Sequence, residues 1–248
     1  MREIKRENIN VEYIDHMGSD IRVSNVAKVS FNKWDDESLE INTKQIGLLN
    51  YLSTGLKSDE RDDWEKRAKA STHWTPYAHC VLSVRVAVPI FLARQLHKHT
   101  IGLVINEESR RYIDDDIALY IPDKVHKRPE GSIKQGKGDI HNDLITWACD
   151  WRGDRDVDAK QLIIESSELS VKAYYTLLDA NVAPEEARMV LPLNSMTHWV
   201  WTGSLMAFMR VVKQRIDPHA QAAANEFAQV LLPILRDKFP ESVKAFDF

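Results

Sequence analysis

The sequence predicts an α+β fold, on three observations. Apolar residues recur at helical spacing in several long stretches, the stretch 81–88 alternates as a strand does, and the helical stretches outnumber the strand. At 248 residues and 44% hydrophobic, the chain buries a sizeable core, and its length favours one large domain over two small ones. A single domain over residues 1–248 is therefore expected.

Asn42-Thr43-Lys44-Gln45 reads as a capping box that opens a helix, with Ile46, Leu49 and Leu52 spaced for one buried face. A second, highly charged helix is expected from Ser58 to Ala70. Between Val81 and Val88, Leu82, Val84, Val86 and Val88 fall on one side of a strand and Ser83, Arg85 and Ala87 on the other. Pro89 suits the first position of a helix, and Ile90 to His99 reads helical, with Arg94/Lys98 and Gln95/His99 as i,i+4 pairs. From Lys124 to Gly138 the chain has Pro129, Gly131, Gly136 and Gly138 together with Lys124, Lys127, Arg128, Lys134 and Lys137. That composition marks a mobile basic loop, a solvated excursion in preference to a lid over a phosphorylated ligand.

Residues 158–180 form a long amphipathic helix through Leu162, Leu169, Ala173 and Leu177, ended by Asn181 and Pro184. A helix from Ser204 to Ile216 buries Leu205, Phe208 and Val212. The last helix begins at Asp217-Pro218, a cap followed by proline, and buries Phe227, Leu231 and Ile234.

Composition removes several function classes. With a formal net charge of −4, no global field holds a nucleic-acid backbone or an anionic membrane. A nucleic-acid module built on the 124–137 loop also lacks interleaved aromatics. Cys80 and Cys149 sit far apart without a CxxC, so they read as two reduced thiols, with neither a disulfide framework nor a zinc ribbon. The polar start Met1-Arg2-Glu3-Ile4-Lys5-Arg6 is no signal peptide, and no apolar run reaches the roughly 20 residues of a membrane span. A soluble, cytoplasmic protein is expected. His97 and His99 point to different faces of a helix, there is no HExxH, and Asp114-Asp115-Asp116 reads as an acidic turn, so no metal site is expected. No GxGxxG follows a strand, which excludes a Rossmann dinucleotide site.

Chemistry concentrates between Arg94 and Tyr112, where cations, a carboxylate, amides and hydroxyls crowd together. Recognition of an anionic, hydrogen-bonding ligand asks for this set: arginine for a phosphate, serine and backbone amides for its other oxygens, glutamine or asparagine for a base edge. A salt-bridged surface turn has the same composition. Two further clusters are Arg188 before Val190-Leu191-Pro192-Leu193-Asn194, and Lys213-Gln214-Arg215-Ile216-Asp217-Pro218-His219-Ala220-Gln221. Singly, Arg215 and His219 read as helix-end residues that complement the dipole.

In this order, the three clusters resemble the flavin-dependent thymidylate synthases. That family's pattern is Arg-His-Arg, a short spacer, then Asn-Glu-x-Ser-x-Arg-Tyr; here Lys98-His99-Thr100 and Asn106-Glu107-Glu108-Ser109-Arg110-Arg111-Tyr112 stand in those places. Similar stretches are His73-Trp74-Thr75-Pro76-Tyr77-Ala78-His79, Pro89 to Gln95, Arg188 to Asn194, and Trp201 to Gln221, so the likeness covers most of the chain from residue 20 onward. It implies a small antiparallel sheet packed by several long helices. It also implies a nucleotide site from Gln95, Glu107, Ser109, Arg110, Arg111, Arg188 and Arg215, and FAD contacts from Ser30, His73, Thr75, Lys98, His99, Thr100, Ser204, Arg210 and His219. The implied assembly is a homotetramer with active sites shared between subunits.

The implied reaction converts dUMP to dTMP, with methylenetetrahydrofolate as one-carbon donor and NADPH as reductant, and without an enzyme nucleophile. Neither Ala78-His79-Cys80 nor Trp147-Ala148-Cys149-Asp150 resembles a Pro-Cys nucleophile context, and no adjacent base activates either thiol. Ser109 likewise has no base placed to take its proton and reads as a phosphate donor. Arg215 is the candidate for the fixed cation that stabilises charge on the pyrimidine, with Arg111 and Arg188 holding phosphate and base. Lys98 and Thr100 replace two arginines of the family's triplet, one residue is inserted before Asn106, Ala78 stands where glutamate is common, and Met206 where arginine is common. Losing guanidinium forks weakens or rearranges the grip on a flavin diphosphate, whereas Arg110, at a position often held by glycine, adds a cation beside the nucleotide phosphate. A relative making a different one-carbon product on the same nucleotide site is the alternative that the altered triplet raises.

Overall fold

The computed structural model describes residues 4–34, 40–60, 62–113, 116–130, 137–148, 153–217 and 220–247. In chain order the elements are β1 (Lys5–Arg6), β2 (Asn10–Met17), α1 (Asp20–Lys28), α2 (Thr43–Thr54), α3 (Trp64–Lys69), β3 (Val81–Pro89), α4 (Ile90–Leu96), β4 (Leu103–Glu107), β5 (Ala118–Leu119), β6 (Ile145–Trp147), β7 (Arg155–Val157), α5 (Ala159–Asp179), α6 (Pro184–Ala187), β8 (Met196–Ser204), α7 (Leu205–Arg215), α8 (Ala222–Lys238) and α9 (Pro240–Ala245). The centre is a four-stranded antiparallel sheet in the order β2-β3-β8-β4. The α+β class is as the patterning predicts, and the small antiparallel sheet packed by long helices is what the family resemblance implies.

β3 alternates as its sequence dictates: Leu82, Val84, Val86 and Val88 are fully buried, while Arg85 faces solvent. β8 pairs with it from Ser204 opposite Val81 to Met196 opposite Pro89. Its inner residues Trp199 and Trp201 form the aromatic floor of the core, with the Trp201 ring 5.4 Å from Phe208 of α7 and 6.1 Å from Phe227 of α8. Leu205, Phe208 and Val212 seal α7 against the sheet, as expected. The two long runs of apolar helix therefore cover one face, because only that face carries the tryptophans.

The sheet closes on β4 through two glycines. Gly102 turns at φ +75°, which favours glycine, and a Cβ at Gly203 would strike the Gly102 carbonyl oxygen. The turn that carries Lys98, His99 and Thr100 is thereby pressed against the N-terminus of α7, where the Ser204 amide donates to the Gly102 carbonyl at 2.9 Å.

Several boundaries differ from the sequence reading, each for a local reason. The charged helix expected over Ser58 to Ala70 is a 3-10 turn, Ser58–Glu60, followed by α3, because Asp63 caps the amides of Glu65 and Lys66 and restarts the helix there. Pro89 ends β3 as the helix cap, one residue before the expected first helical position, and α4 stops at Leu96. There the His99 amide bonds the Leu96 carbonyl at 3.0 Å in a tightened turn, so Gln95 and His99 diverge and do not form a helical pair. α5 buries Ser167, Val171, Tyr174 and Tyr175, while Leu169 is 61% exposed and Ala173 is also exposed. The adjacent tyrosines offer more area than the aliphatic stripe and set the helix's rotation, closing a second apolar cluster with Ile117, Leu119 and Ala187. The helix expected from Asp217 is α8, which starts later, at Ala222 behind Gln221, and it is not the last, since Phe239 and Pro240 break the chain into the short α9; Pro218 lies outside the described residues.

Candidate active site

The Met196 end of β8 and the Glu107 end of β4 lie together, and a cleft of about 520 Å³ opens there. It is lined by Glu107, Ser109, Arg110 and Arg111 from the end of β4 and the loop after it, Arg188 from the turn Arg188–Val190, and Thr197. The loop is tight: the Tyr112 amide bonds the Ser109 carbonyl at 3.0 Å, and Arg111 Nε donates to Ser109 Oγ at 3.1 Å. Arg188 is steadied by its Nε donating to the Glu185 carbonyl at 3.2 Å. Glu107 is oriented by the Thr197 hydroxyl, which donates to its Oε1 at 2.6 Å. Three guanidinium groups, the Ser109 hydroxyl and the held Glu107 carboxylate, with Glu108 also on the lining, suit a phosphate monoester carrying a hydrogen-bonding ring.

Gln95 lines a separate cleft of about 660 Å³ with Phe91, Arg94, Lys98 and Gln221. Lys98 also borders a smaller hollow of about 210 Å³ lined by His99, Thr100, Ile101, Leu103, Ala207, Arg210 and Gln214. Among the described residues no carboxylate lines either space. Arg215, at the end of α7, places Nη2 3.1 Å from His99 Nε2. Burial, then the Arg215 and Arg210 charges, hold the His99 pKa below its ordinary value, and burial lowers that of Arg215. Arg215 Nε and Gln95 Oε1 are buried without a hydrogen-bond partner, so each keeps bonding capacity for a ligand.

Within one chain the sequence candidates thus divide. Glu107, Ser109, Arg110, Arg111 and Arg188 share one cleft, whereas Gln95 lines another and Arg215 stands with His99. Lys98, His99, Thr100 and Arg210 line one hollow, while Ser204 Oγ caps α7 by accepting from the Ala207 amide at 3.2 Å. Ser30, His73 and Thr75 sit elsewhere on exposed 3-10 segments and their flank, with His73 stacked on Tyr51. His219 lies outside the described residues. Sequence reasoning missed Thr197 and Glu108 on the cleft wall; the alternation Thr197, Trp199, Trp201 was the signal that Thr197 faces inward.

The basic loop is pinned where it is described, by Lys127 Nζ at 2.6 Å from Asp143 and by the His141 amide on the Val125 carbonyl at 2.8 Å. Its residues 131–136 lie outside the described residues. His126, Lys127 and Lys137 border an apolar cleft of about 400 Å³ with Phe91 and Tyr120, while the described loop residues stay exposed or half-buried, as a surface excursion does. Cys80 is fully buried against Gly18, and burial first of all pushes its thiol up to about 11. It is no thiolate near neutrality. Cys149 lies outside the described residues. Among the described residues no cluster of three or more metal-ligating side chains occurs, and no helix is long and apolar enough to cross a membrane.

Comparison with known proteins converges on one family. Residues 12–241 match the family model described as thymidylate synthase complementing protein. The flavin-dependent thymidylate synthase of Thermosipho africanus is 34% identical over 94% of this chain and 88% of its own length. That of Kosmotoga olearia is 29% identical over 95% and 89%. Among solved structures, the UMP/dUMP methylase PolB from Streptomyces cacaoi bound with 5-Br dUMP superposes with a TM-score of 0.74 at 25% identity, covering 99% of this chain and 97% of that one. The clustered arginines, the held glutamate and the match over nearly the whole chain agree: this chain belongs to the flavin-dependent thymidylate synthase family and is an enzyme of that type.

Proposed function

We propose that the chain methylates C5 of dUMP to give dTMP, with FAD as cofactor, methylenetetrahydrofolate as one-carbon donor and NADPH as reductant. The observation that carries this reading is the cleft in which Ser109, Arg110, Arg111 and Arg188 converge beside Glu107. Arginine forks and the Ser109 hydroxyl hold the phosphate; Glu107, fixed by Thr197, accepts from the pyrimidine's N–H. Uracil C5 is a poor nucleophile, and the buried Cys80 supplies no thiolate to activate it. Activation falls to a fixed cation that stabilises negative charge on the ring, the role given to Arg215.

The second space fits FAD in its donor set. Lys98, Thr100 and Arg210 present cation and hydroxyl to a diphosphate, with no carboxylate opposing them among the described lining residues, and the unpartnered Gln95 Oε1 belongs to the adjoining cleft that Lys98 also lines. The chemistry that FAD supplies when bound is hydride transfer. His99, flanked by Arg215 and Arg210, loses its proton readily and accepts from Arg215 instead of repelling it. A homotetramer with shared sites belongs to the same reading, because in one chain Arg215 stands with His99 and does not line the cleft that holds Arg111. The setting is cytoplasmic, and the substrate is a free nucleotide rather than nucleic acid or a membrane lipid.

The test is whether purified protein is yellow or takes up FAD in a fluorescence titration and then forms dTMP from dUMP. Colourless protein that binds no FAD removes the cofactor from the scheme. Replacing Cys80 and Cys149 together by alanine is expected to leave turnover within about tenfold, a change of only about 1.4 kcal/mol. Complete loss in a folded double variant would restore covalent thiolate catalysis. A second reading, methylation of UMP as well, is favoured by the similarity to PolB, whose structure with 5-Br UMP superposes at a TM-score of 0.72. Mass spectrometry of products from UMP and dUMP separates the two.

A further inference from the structure

The loop that carries Ser109, Arg110 and Arg111 is rooted on a single imidazole. His198 of β8 holds Glu108 twice, its carbonyl accepting from the Glu108 amide at 2.9 Å and its Nδ1 lying 3.1 Å from Glu108 Oε1. The other ring nitrogen lies 2.9 Å from Glu7 Oε1. Glu7 belongs to the N-terminal segment that fastens the far side of the same loop: its amide donates to the Leu119 carbonyl at 3.1 Å, and Lys5 Nζ meets Asp116 at 3.0 Å. One ring therefore joins Glu108, at the start of the arginine loop, to the N-terminal segment that pairs with β5.

The charges matter as much as the geometry. Glu108 lines the arginine cleft, where a bare carboxylate would oppose a bound phosphate. The hydrogen bond that the ring donates to Glu108 first, and then the one to Glu7, raise the His198 pKa to about 9 against burial. By strand register, Arg85 and Glu12 are the next charged groups along that face of the sheet. The ring thus carries a proton at neutral pH and loses it as pH rises through about 9. Above that, the three groups together become one unit more negative beside the phosphate site.

We propose that His198, clasped between Glu108 and Glu7, is a positioning residue that sets the phosphate affinity of the nucleotide cleft. It does so by fixing the loop that carries Ser109, Arg110 and Arg111 and by masking the Glu108 charge. The proposal rests on the cleft being the nucleotide site. His198→Gln keeps a hydrogen-bonding side chain but no proton charge. At neutral pH it is expected to weaken dUMP binding roughly tenfold, the scale for one charge-assisted hydrogen bond, with kcat at saturating dUMP nearly unchanged.

The pH dependence is read with 2-deoxyribose 5-phosphate, which lacks the uracil proton that titrates in the same range. Its affinity for the wild type is expected to fall as pH rises through about 9, and that limb should vanish in His198→Gln. Glu7→Gln, which leaves the Glu108 contact in place, should shift the limb to lower pH and carries the test should His198→Gln not fold. Unchanged affinity and an unchanged limb in the variants overturn the proposal while leaving the nucleotide reading intact. Wild-type protein that binds neither dUMP nor the sugar phosphate overturns both.

Discussion

Replacing Arg215 by alanine is expected to lower turnover by roughly 10²–10³, the scale for removing one preorganised stabilising donor. A helix-end arginine that only complemented the α7 dipole would be solvated and dispensable. Arg215 is instead partly buried, with one Nη on His99 and its Nε unpartnered. If it acts on charge that develops in the pyrimidine, the loss appears in the methyl-transfer step more than in dUMP affinity. Lysine keeps the charge but not the planar fork, so Arg215→Lys should bind dUMP moderately and turn over slowly. Reduction of the flavin by nicotinamide does not involve the uracil ring and should survive in both variants. Single-turnover kinetics on protein shown to be folded decide the matter. Near-normal methyl transfer in Arg215→Ala would return the residue to a structural role and move the catalytic cation to Arg111 or Arg188.

What could be read from the sequence depended on how local the cause was. The capping box at Asn42 forms in both directions, with Gln45 N on Asn42 Oδ1 at 3.0 Å and Asn42 N on Gln45 Oε1 at 2.9 Å, because both partners lie within one turn. β3 and α7 were legible for the same reason: alternation and helical spacing are properties of neighbours. β2, β4 and β8 were not recognised as strands. β4 is short, its exposed Val104 breaks the hydrophobic signal, and its place in the sheet depends on the close approach of Gly203 to Gly102. The face that α5 buries was misread because two adjacent tyrosines outweigh a regular aliphatic stripe, which becomes visible only once Ile117 and Ala187 are beside them.

The candidate site divides along the same line. Ser109, Arg110 and Arg111 are neighbours in sequence, and the motif that contains them could be read directly. Their meeting with Arg188 and Thr197 requires the β4–β8 pairing, a contact across about ninety residues that no local pattern encodes. The separation of Arg215 from Arg111 within one chain could not be read at all, since a motif gives membership in a site but not the distance between its members. His198 escaped notice for a related reason: its partners, Glu7 and Glu108, come from segments that only the sheet brings together.

Removing the phosphate grip should produce a different kinetic signature from removing Arg215. Arg111→Ala and Arg188→Ala each delete a guanidinium from the cleft that also holds Ser109 and Arg110. A hydrogen bond to a charged group contributes about 1.5–3 kcal/mol, so each variant is expected to weaken dUMP binding by roughly 10–150-fold. The phosphate keeps its charge and geometry throughout C5 methylation, so its contacts serve ground state and transition state alike, and kcat at saturating dUMP should change far less than KM. Arg111 should show the larger loss, because its Nε also aligns the Ser109 hydroxyl and its departure loosens two donors together. Deoxyuridine provides the internal control: lacking a phosphate, it should bind wild type and variants with similar weakness, and the advantage of dUMP over deoxyuridine should shrink in each variant. That advantage should also shrink with added salt in the wild type, since part of the attraction is between exposed charges that ions screen. If both variants keep the full preference for dUMP over deoxyuridine, the arginine cleft is not where the phosphate sits, and the Lys98, Thr100 and Arg210 hollow becomes the place to look for it.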